Sequence, residues 1–509
     1  MPVQLGETLA LHDVVDVAFG AQVAFGGPAR KRVSASRAVI ERAVADGRTM
    51  YGVTTGFGAL AGTRIDPARA AELQHGIVRS HATAVGPALP RDEARAMLLL
   101  RAHVLALGRS GVRPALVDLM VELLNRDIVP AVPEQGSLGA SGDLAPLANL
   151  ALPLIGHGRV LGAGGETEPA RDAFARASLA PIVLEAKEGL ALVNGTQGML
   201  AIGTLAHARA ASLSRTADVI AAMTIEAALG TDAPFDERLQ LLRPHPGQVA
   251  SASNLRRLLA GSPILASHRD SPHLVQDAYS LRCAPQVHGA TRDAIARAGE
   301  ALAIEVNAVS DNPIVLAETE EVVSGGNFHG MPVGLTLDAL SAALVPLASI
   351  SERRLYRLLD ANLSNGLPPF LVPESGLNSG FMLVQYTAAS LVSESKSLAH
   401  PASVDSIPSS AGQEDHVSMG MTAARHARAI VTNAEVVLAL EALAAAQALD
   451  LRAPLQSGEA TRAAHAAVRA RVPFVEHDRE FGADIDATVE LVRNGTLVDA
   501  VADVIGPIR

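Results

Sequence analysis

The densest chemistry in the sequence lies in Gly136-Ser137-Leu138-Gly139-Ala140-Ser141-Gly142-Asp143-Leu144, where glycines and serines precede an apolar run. Glycines ahead of a helix can present backbone N–H groups to an anion, but the Lys-Ser/Thr of a phosphate loop is missing and the dinucleotide glycine spacing is not met. Gly139-Ala140-Ser141-Gly142 approaches a serine hydrolase elbow, with Asp143 standing where the last glycine belongs. The plain alternative is a tight turn with Ser141 or Asp143 capping the next helix. A fourth reading uses the backbone itself. In a tight bend the Gly142 nitrogen can attack the Ala140 carbonyl carbon, because glycine permits that approach without a Cβ clash. Loss of that water, and of the Ser141 hydroxyl as a second, leaves an exocyclic methylidene conjugated to the ring. No standard side chain offers such an electrophile. The tripeptide alone is common, so its surroundings decide.

Other residues invite chemistry, each with a plainer role beside it. Tyr51 opens a loop with glycines at 52, 56 and 58, and could be an aromatic plug on a turn. Ser80 and His81 follow Leu73 and Ile77 at helical spacing, so His81 could be a partly buried histidine with no further task. Glu414 follows Ser410 and Gln413, which fit a capping box at a helix start. Arg282, three residues after Tyr279, could grip a carboxylate with two parallel bonds or form a structural ion pair.

Seven stretches, in order along the chain, supply the context: Tyr51 to Gly58 (YGVTTGFG), Gly136 to Leu147 (GSLGASGDLAPL), Leu192 to Gln197 (LVNGTQ), Gln276 to Cys283 (QDAYSLRC), Ser310 to Pro313 (SDNP), Gly325 to His329 (GGNFH) and Gln413 to Met419 (QEDHVSM). On these the sequence resembles the aromatic amino acid ammonia-lyase family. The resemblance implies a 4-methylideneimidazol-5-one group formed autocatalytically from Ala140-Ser141-Gly142, with no diffusible cofactor and no metal. It implies Tyr51 as the base on a mobile lid; a phenol needs nearby positive charge or helix N-termini to serve at neutral pH. Arg282 would fix the substrate carboxylate, while Asn194, Gln276, Tyr279 and Phe328 would surround the prosthetic group and substrate. Asn194 would hydrogen-bond the ring carbonyl.

Ser80, His81, Gln413 and Glu414 would meet the substrate ring. Family members acting on tyrosine or phenylalanine tend to carry aromatic or aliphatic residues at the first pair and an uncharged Gln near Glu414. An imidazole needs polar partners, and a carboxylate suits it better than a phenyl ring. The resemblance therefore implies elimination of ammonia from L-histidine to trans-urocanate, the first step of histidine degradation. A tyrosine or phenylalanine ammonia-lyase or aminomutase is the alternative within the family; an inactive scaffold and a serine hydrolase using Ser141 lie outside it. A D2 homotetramer sharing its active sites among subunits is also implied.

The elements that must position these residues are read from composition and periodicity. The 509 residues are 49% hydrophobic and only 3% aromatic, without Trp, so Ala, Leu, Val and Ile must build a core of closely packed helices. A net charge of −11 with scattered Lys and Arg argues against nucleic acid or an anionic membrane as partner. The lone Cys283 cannot form an internal disulfide or a multi-thiolate site, and is expected in a reducing, cytoplasmic compartment. No secretory signal is visible, and the uncharged stretches Gly189 to Ala206 and Ser375 to Ser393 read as buried interior.

The expected fold class is mainly α: a large multi-helix bundle with long central helices and a smaller mixed N-terminal domain. Residues 1–195 are expected to carry the prosthetic-group loop, and 196–509 the long helices with a C-terminal helical extension. Long helices are expected over Gln197–Leu229, Pro285–Val309, Met331–Leu363, Asn378–Leu398 and Asp415–Leu449, with two shorter ones over Gly458–Ala470 and Glu476–Arg493.

Overall fold

The computed structural model describes residues 1–162, 164–270 and 275–509. Among them are twenty α-helices and only short strands of two to four residues, so the mainly α expectation holds. Four small sheets, three of two strands and one of three, tie loops together without forming a layer.

The helices fall close to where periodicity and breakers place them. Arg91–Ala106 and Pro114–Asn125 start at residues next to or at a proline, whose fixed φ suits a first turn. The long helices run over Gln197–Ala227, Ala284–Val306, Met331–Leu359 and Gly420–Asp450. Gln197–Ala227 ends differently from the glycine stop that Gly230 suggests: Leu229 takes the left-handed conformation (φ 53°), and the Gly230 amide reaches back to the Ile225 carbonyl at 2.8 Å. The last helices number three, Glu459–Arg469, Gly482–Arg493 and Thr496–Ile505, where two are expected from the sequence.

Two compact units organise the chain. The first comprises residues 1–208, 299–338 and 401–425, and the second 209–298, 339–400 and 426–509. The expected linear division at residue 195 thus lies near the end of the first unit's longest segment, but that unit also takes back two later segments. In the second unit, residues 438–446 of helix Gly420–Asp450 are Ala or Leu apart from Glu441, and all are fully buried. Met331–Leu359 and Gly420–Asp450 are long and apolar enough to cross a membrane by length and composition alone, as core helices can be; 50% and 78% of their most apolar windows are buried in the protein.

One uncharged stretch departs from its expected place. Gly189 to Ala206 is buried, whereas Ser375 to Ser393 leaves Leu377, Leu383 and Tyr386 exposed in the single chain. Absence of charge does not distinguish a core segment from one that lies on the surface of a single chain.

Candidate active site

The site lies within the first unit and is built around the Ala140-Ser141-Gly142 bend. Ser141 (φ 51°) and Gly142 (φ 76°) are both left-handed, a conformation that costs little for glycine and more for serine. The bend is held from both sides. The Gly195 amide donates to the Ser141 carbonyl at 3.1 Å, and the Asp143 amide donates to the Gly195 carbonyl at 2.7 Å. A Cβ on Gly142 would lie 2.1 Å from the Gly195 oxygen, so no other residue fits there without moving that strap. On the far side, the Met419 amide donates to the Leu138 carbonyl at 3.1 Å.

Asp143 precedes helix Leu144–Ala151 but does not cap it with its side chain. Its carboxylate instead accepts the Met199 amide at 2.8 Å, at the start of helix Gln197–Ala227, and lies 3.2 Å from the Ser137 hydroxyl. Burial lifts its pKa to about 7, against the hydrogen bonds from Met199, Ser137 and Gly198. The capping role considered for this residue is therefore spent on a different helix.

A cavity of about 900 Å³ opens over the bend. Ala140, Ser141, Asn194 and Phe328 line it, and so do Tyr51, Ser80, His81, Gln413 and Glu414. Gly142 lies behind it, against a smaller recess of about 240 Å³ that also touches His81 and Glu414. Leu73, Ile77 and Leu190 give the wall its apolar part. His329, Asp415 and His416 line it too; they lie inside two of the seven motifs, which is the one signal in the sequence that places them here.

Tyr51 is half-buried. Its hydroxyl oxygen accepts the Gly58 amide at 3.0 Å, and its ring meets Phe57 edge-on at 6.5 Å. The loop's base is fixed by Gln74, fully buried, whose amide donates to the Gly52 carbonyl at 2.9 Å and accepts the Leu190 amide at 3.0 Å. Across the opening, the Ala59 amide donates to the Ser410 hydroxyl at 3.1 Å.

His81 ends helix Ala70–His81, with its Nδ1 3.0 Å from the Ser80 hydroxyl. Burial pushes its pKa below the usual value, opposed by the Ile77 carbonyl and the charge of Glu414, so the ring is neutral at neutral pH. Glu414 accepts the Ser409 hydroxyl at 2.7 Å. No capping box forms there: Ser410–Gly412 is a single tight turn, and the helix begins only at Gly420.

Asn194 points its amide nitrogen at Asp311 Oδ1 (3.2 Å) and the Asn312 carbonyl (3.0 Å). Both amide hydrogens are thus engaged, so as placed the side chain has none left to donate to a ring carbonyl. Asp311 also carries a fully buried ion pair with Lys187 at 2.8 Å. Burial pulls the Lys187 ammonium below its ordinary range while Asp311 holds it up.

Gln276, Tyr279 and Arg282 belong to the second unit, and none lines the cavity. Tyr279 and Arg282 share the one-turn helix Tyr279–Arg282, with the guanidinium 4.6 Å above the exposed tyrosine ring and its Nε donating to the Asp277 carbonyl at 2.8 Å. Among the described residues no cluster of three or more His, Cys, Asp or Glu is placed to hold a metal ion.

A helical fold whose cavity floor is a left-handed Ala-Ser-Gly bend defines a class of enzyme, and comparison with known proteins agrees. The aromatic amino acid lyase family model matches residues 9–470, and the chain belongs to that family. It is 56% identical over 500 residues to histidine ammonia-lyase of Anaeromyxobacter sp. (strain K), covering 97% of this chain and 98% of that one. The solved histidine ammonia-lyase of Trypanosoma cruzi is similar at a TM-score of 0.91 and 42% identity, covering 99% of this chain and 95% of that one. Tyrosine aminomutase of Streptomyces globisporus gives 0.93 and 39%, covering 99% of each chain.

The residues present fit the prosthetic group of that family. The bend turns left-handed at Ser141 and Gly142, folding the Gly142 nitrogen back toward Ala140, and the Gly142 position admits no side chain.

Proposed function

We propose that the chain eliminates ammonia from L-histidine to give trans-urocanate, using a methylidene-imidazolone formed from Ala140, Ser141 and Gly142. One observation carries the reading: His81 and Glu414 line the same cavity as Ser141. A neutral imidazole and a carboxylate can both hydrogen-bond a substrate imidazole, whereas a phenyl ring offers neither of them a partner. Relatives named histidine ammonia-lyase, between 53 and 56% identical over nearly the whole chain, support it.

The prosthetic group supplies an electrophilic carbon that makes the amine a better leaving group. The rest falls to side chains. Tyr51 Oη takes the β-proton, and the Gly58 amide already donates to that oxygen in the position a phenolate would need. Ser80, His81, Gln413 and Glu414 orient the ring, and Leu73, Ile77 and Leu190 exclude water around it. Phe328 walls the cavity beside Asn194, whose engaged amide holds the floor.

The carboxylate grip is assigned to Arg282, with Gln276 and Tyr279 beside it, supplied by another copy of the chain in a D2 homotetramer. Two observations support this: these residues do not line the cavity, and Tyr279, Leu377, Leu383 and Tyr386 are exposed in the single chain. A cytoplasmic location suits the free Cys283.

The test is direct. The protein is incubated with histidine, tyrosine or phenylalanine, and the ultraviolet absorbance of the conjugated acid is followed; the chain has no Trp, so the window is clear. Urocanate from histidine, faster than any product from the other two, is expected. No product from histidine, or faster turnover of tyrosine, would overturn the assignment.

A further inference from the structure

Arg101 and Arg354 are the two largest wholly buried side chains among the described residues, and Arg101 lies in the middle of helix Arg91–Ala106. A buried guanidinium normally meets a carboxylate, since an unpaired charge in the interior costs several kcal/mol. Arg101 does not. Its Nη1 donates to the Asn194 carbonyl at 2.7 Å and to Gln197 Oε1 at 2.9 Å, while Nε and Nη2 are buried without a hydrogen-bond partner. The surrounding burial brings its pKa down to about 10, with Asp311 opposing.

Its contact is with the strap that holds the bend. Gly195 has φ 154°, and a Cβ on it would lie 2.6 Å from Arg101 Nη1 and 2.4 Å from Gln197 Oε1. The guanidinium therefore packs on the Gly195 backbone, where a side chain would otherwise be. The same residue donates its amide to the Ser141 carbonyl and accepts the Asp143 amide.

We infer that Arg101 is a positioning residue for formation of the prosthetic group, pinning the Asn194-Gly195 strap against which Ala140-Ser141-Gly142 bends; this rests on the proposed methylidene-imidazolone. The reaction served is a condensation without redox change. A bond forms from the Gly142 nitrogen to the Ala140 carbonyl carbon, and the carbonyl oxygen leaves as water with the amide protons of Ser141 and Gly142, making a C=N bond to the Ser141 nitrogen. The Ser141 hydroxyl then leaves as water with the Cα proton, making the methylidene. Arg101 takes part in neither bond change. It fixes where the Gly195 amide and carbonyl sit, and so how tightly the segment is folded when the nitrogen attacks.

The experiment is intact-protein mass on freshly made full-length chain, followed over hours, for the native sequence, Arg101→Met and Arg101→Lys, each checked for native helix content. The native chain is expected to be low by two water masses. Arg101→Met is expected to remain at least ten-fold less mature over the same interval. Arg101→Lys, which retains a cation and can still donate to the Asn194 carbonyl, is expected to mature more slowly than native yet further than Arg101→Met. Turnover per mature site should match native in whatever fraction matures. A folded Arg101→Met with the full two-water deficit at the native rate overturns the inference. If Arg101→Met does not fold, Arg101→Lys decides: maturation at the native rate with only a lowered melting point makes the residue structural and also overturns it. A native chain without the deficit would instead refute the prosthetic group itself.

Discussion

Asp143 provides a quantitative check on how the bend is housed. Its carboxyl is wholly buried, and its pKa stands at about 7 against a usual 3.8. Between those values the unfolded carboxyl is ionised while the folded one keeps its proton, so the folded state binds more protons. Stability is therefore fully present below about pH 4 and is lost as pH rises through about 7. Three pKa units correspond to about 4 kcal/mol at roughly 1.4 kcal/mol per unit. Asn in its place would stay neutral at every pH, accept the Met199 amide through its oxygen and offer its nitrogen to the Ser137 hydroxyl. Ser141→Ala and Ser141→Ala/Asp143→Asn should be compared, so that neither variant can form the methylidene. Unfolding entropy near 2.1 cal/mol/K per residue gives about 1.1 kcal/mol/K for the chain, so 4 kcal/mol becomes a shift of about 4 °C. Calorimetric melting at pH 5 and pH 8 spans about two of those three units, about 2.7 kcal/mol, so the single variant should lose about 2.5 °C more than the double variant. Glu305, whose buried carboxyl is also raised, is present in both and largely cancels. Identical pH dependence in the two variants, within about 1 °C, would refute the claim that Asp143 is buried with a raised pKa.

Further outcomes follow from the same geometry. Lys187→Met leaves the Asp311 carboxylate buried without its cation, and should cost about 3–5 kcal/mol in urea unfolding. Gly142→Ala places a methyl group 2.1 Å from the Gly195 oxygen at φ 76°; the mass spectrum should show no two-water deficit even where the chain folds. Tyr51→Phe should retain that deficit but lower kcat by about 10²–10⁴, the usual worth of a general base.

Much of this was legible in the sequence, and the exceptions are instructive. Helices with proline starts, such as Pro114–Asn125, announce themselves through local chemistry. Nine candidate residues from Tyr51 to Glu414 do line one cavity, because motifs far apart in sequence fold into one unit. What periodicity could not show is partner choice at a distance. Asp143 looks like a cap for the helix it precedes, yet it bonds Met199, and only tertiary packing sets which orphan amide a carboxylate meets. Asn194 is similar: its type permits a bond to the ring, but Asp311 and Asn312 take both hydrogens. Arg101 sits in an apolar run, and Lys187 between Glu185 and Glu188, with nothing nearby in sequence to signal that either cation is buried. Ser375 to Ser393 shows the limit of composition, since an uncharged segment suits a core and a subunit contact equally.

The first unit's reuse of segments 299–338 and 401–425 has a consequence for biosynthesis. Leu138 is held by the amide of Met419, and the slot beside Gly139 is filled by Ser418. A ribosome adding 5–20 residues per second takes roughly 15 to 55 seconds to travel from Leu138 to Met419. Until then the Ala-Ser-Gly segment lacks one wall of its enclosure, and its bend must wait for synthesis to reach Met419. The nascent chain therefore carries Ala140-Ser141-Gly142 unenclosed over this interval, and the proposed ring closure waits until the fold that will contain it is nearly in place.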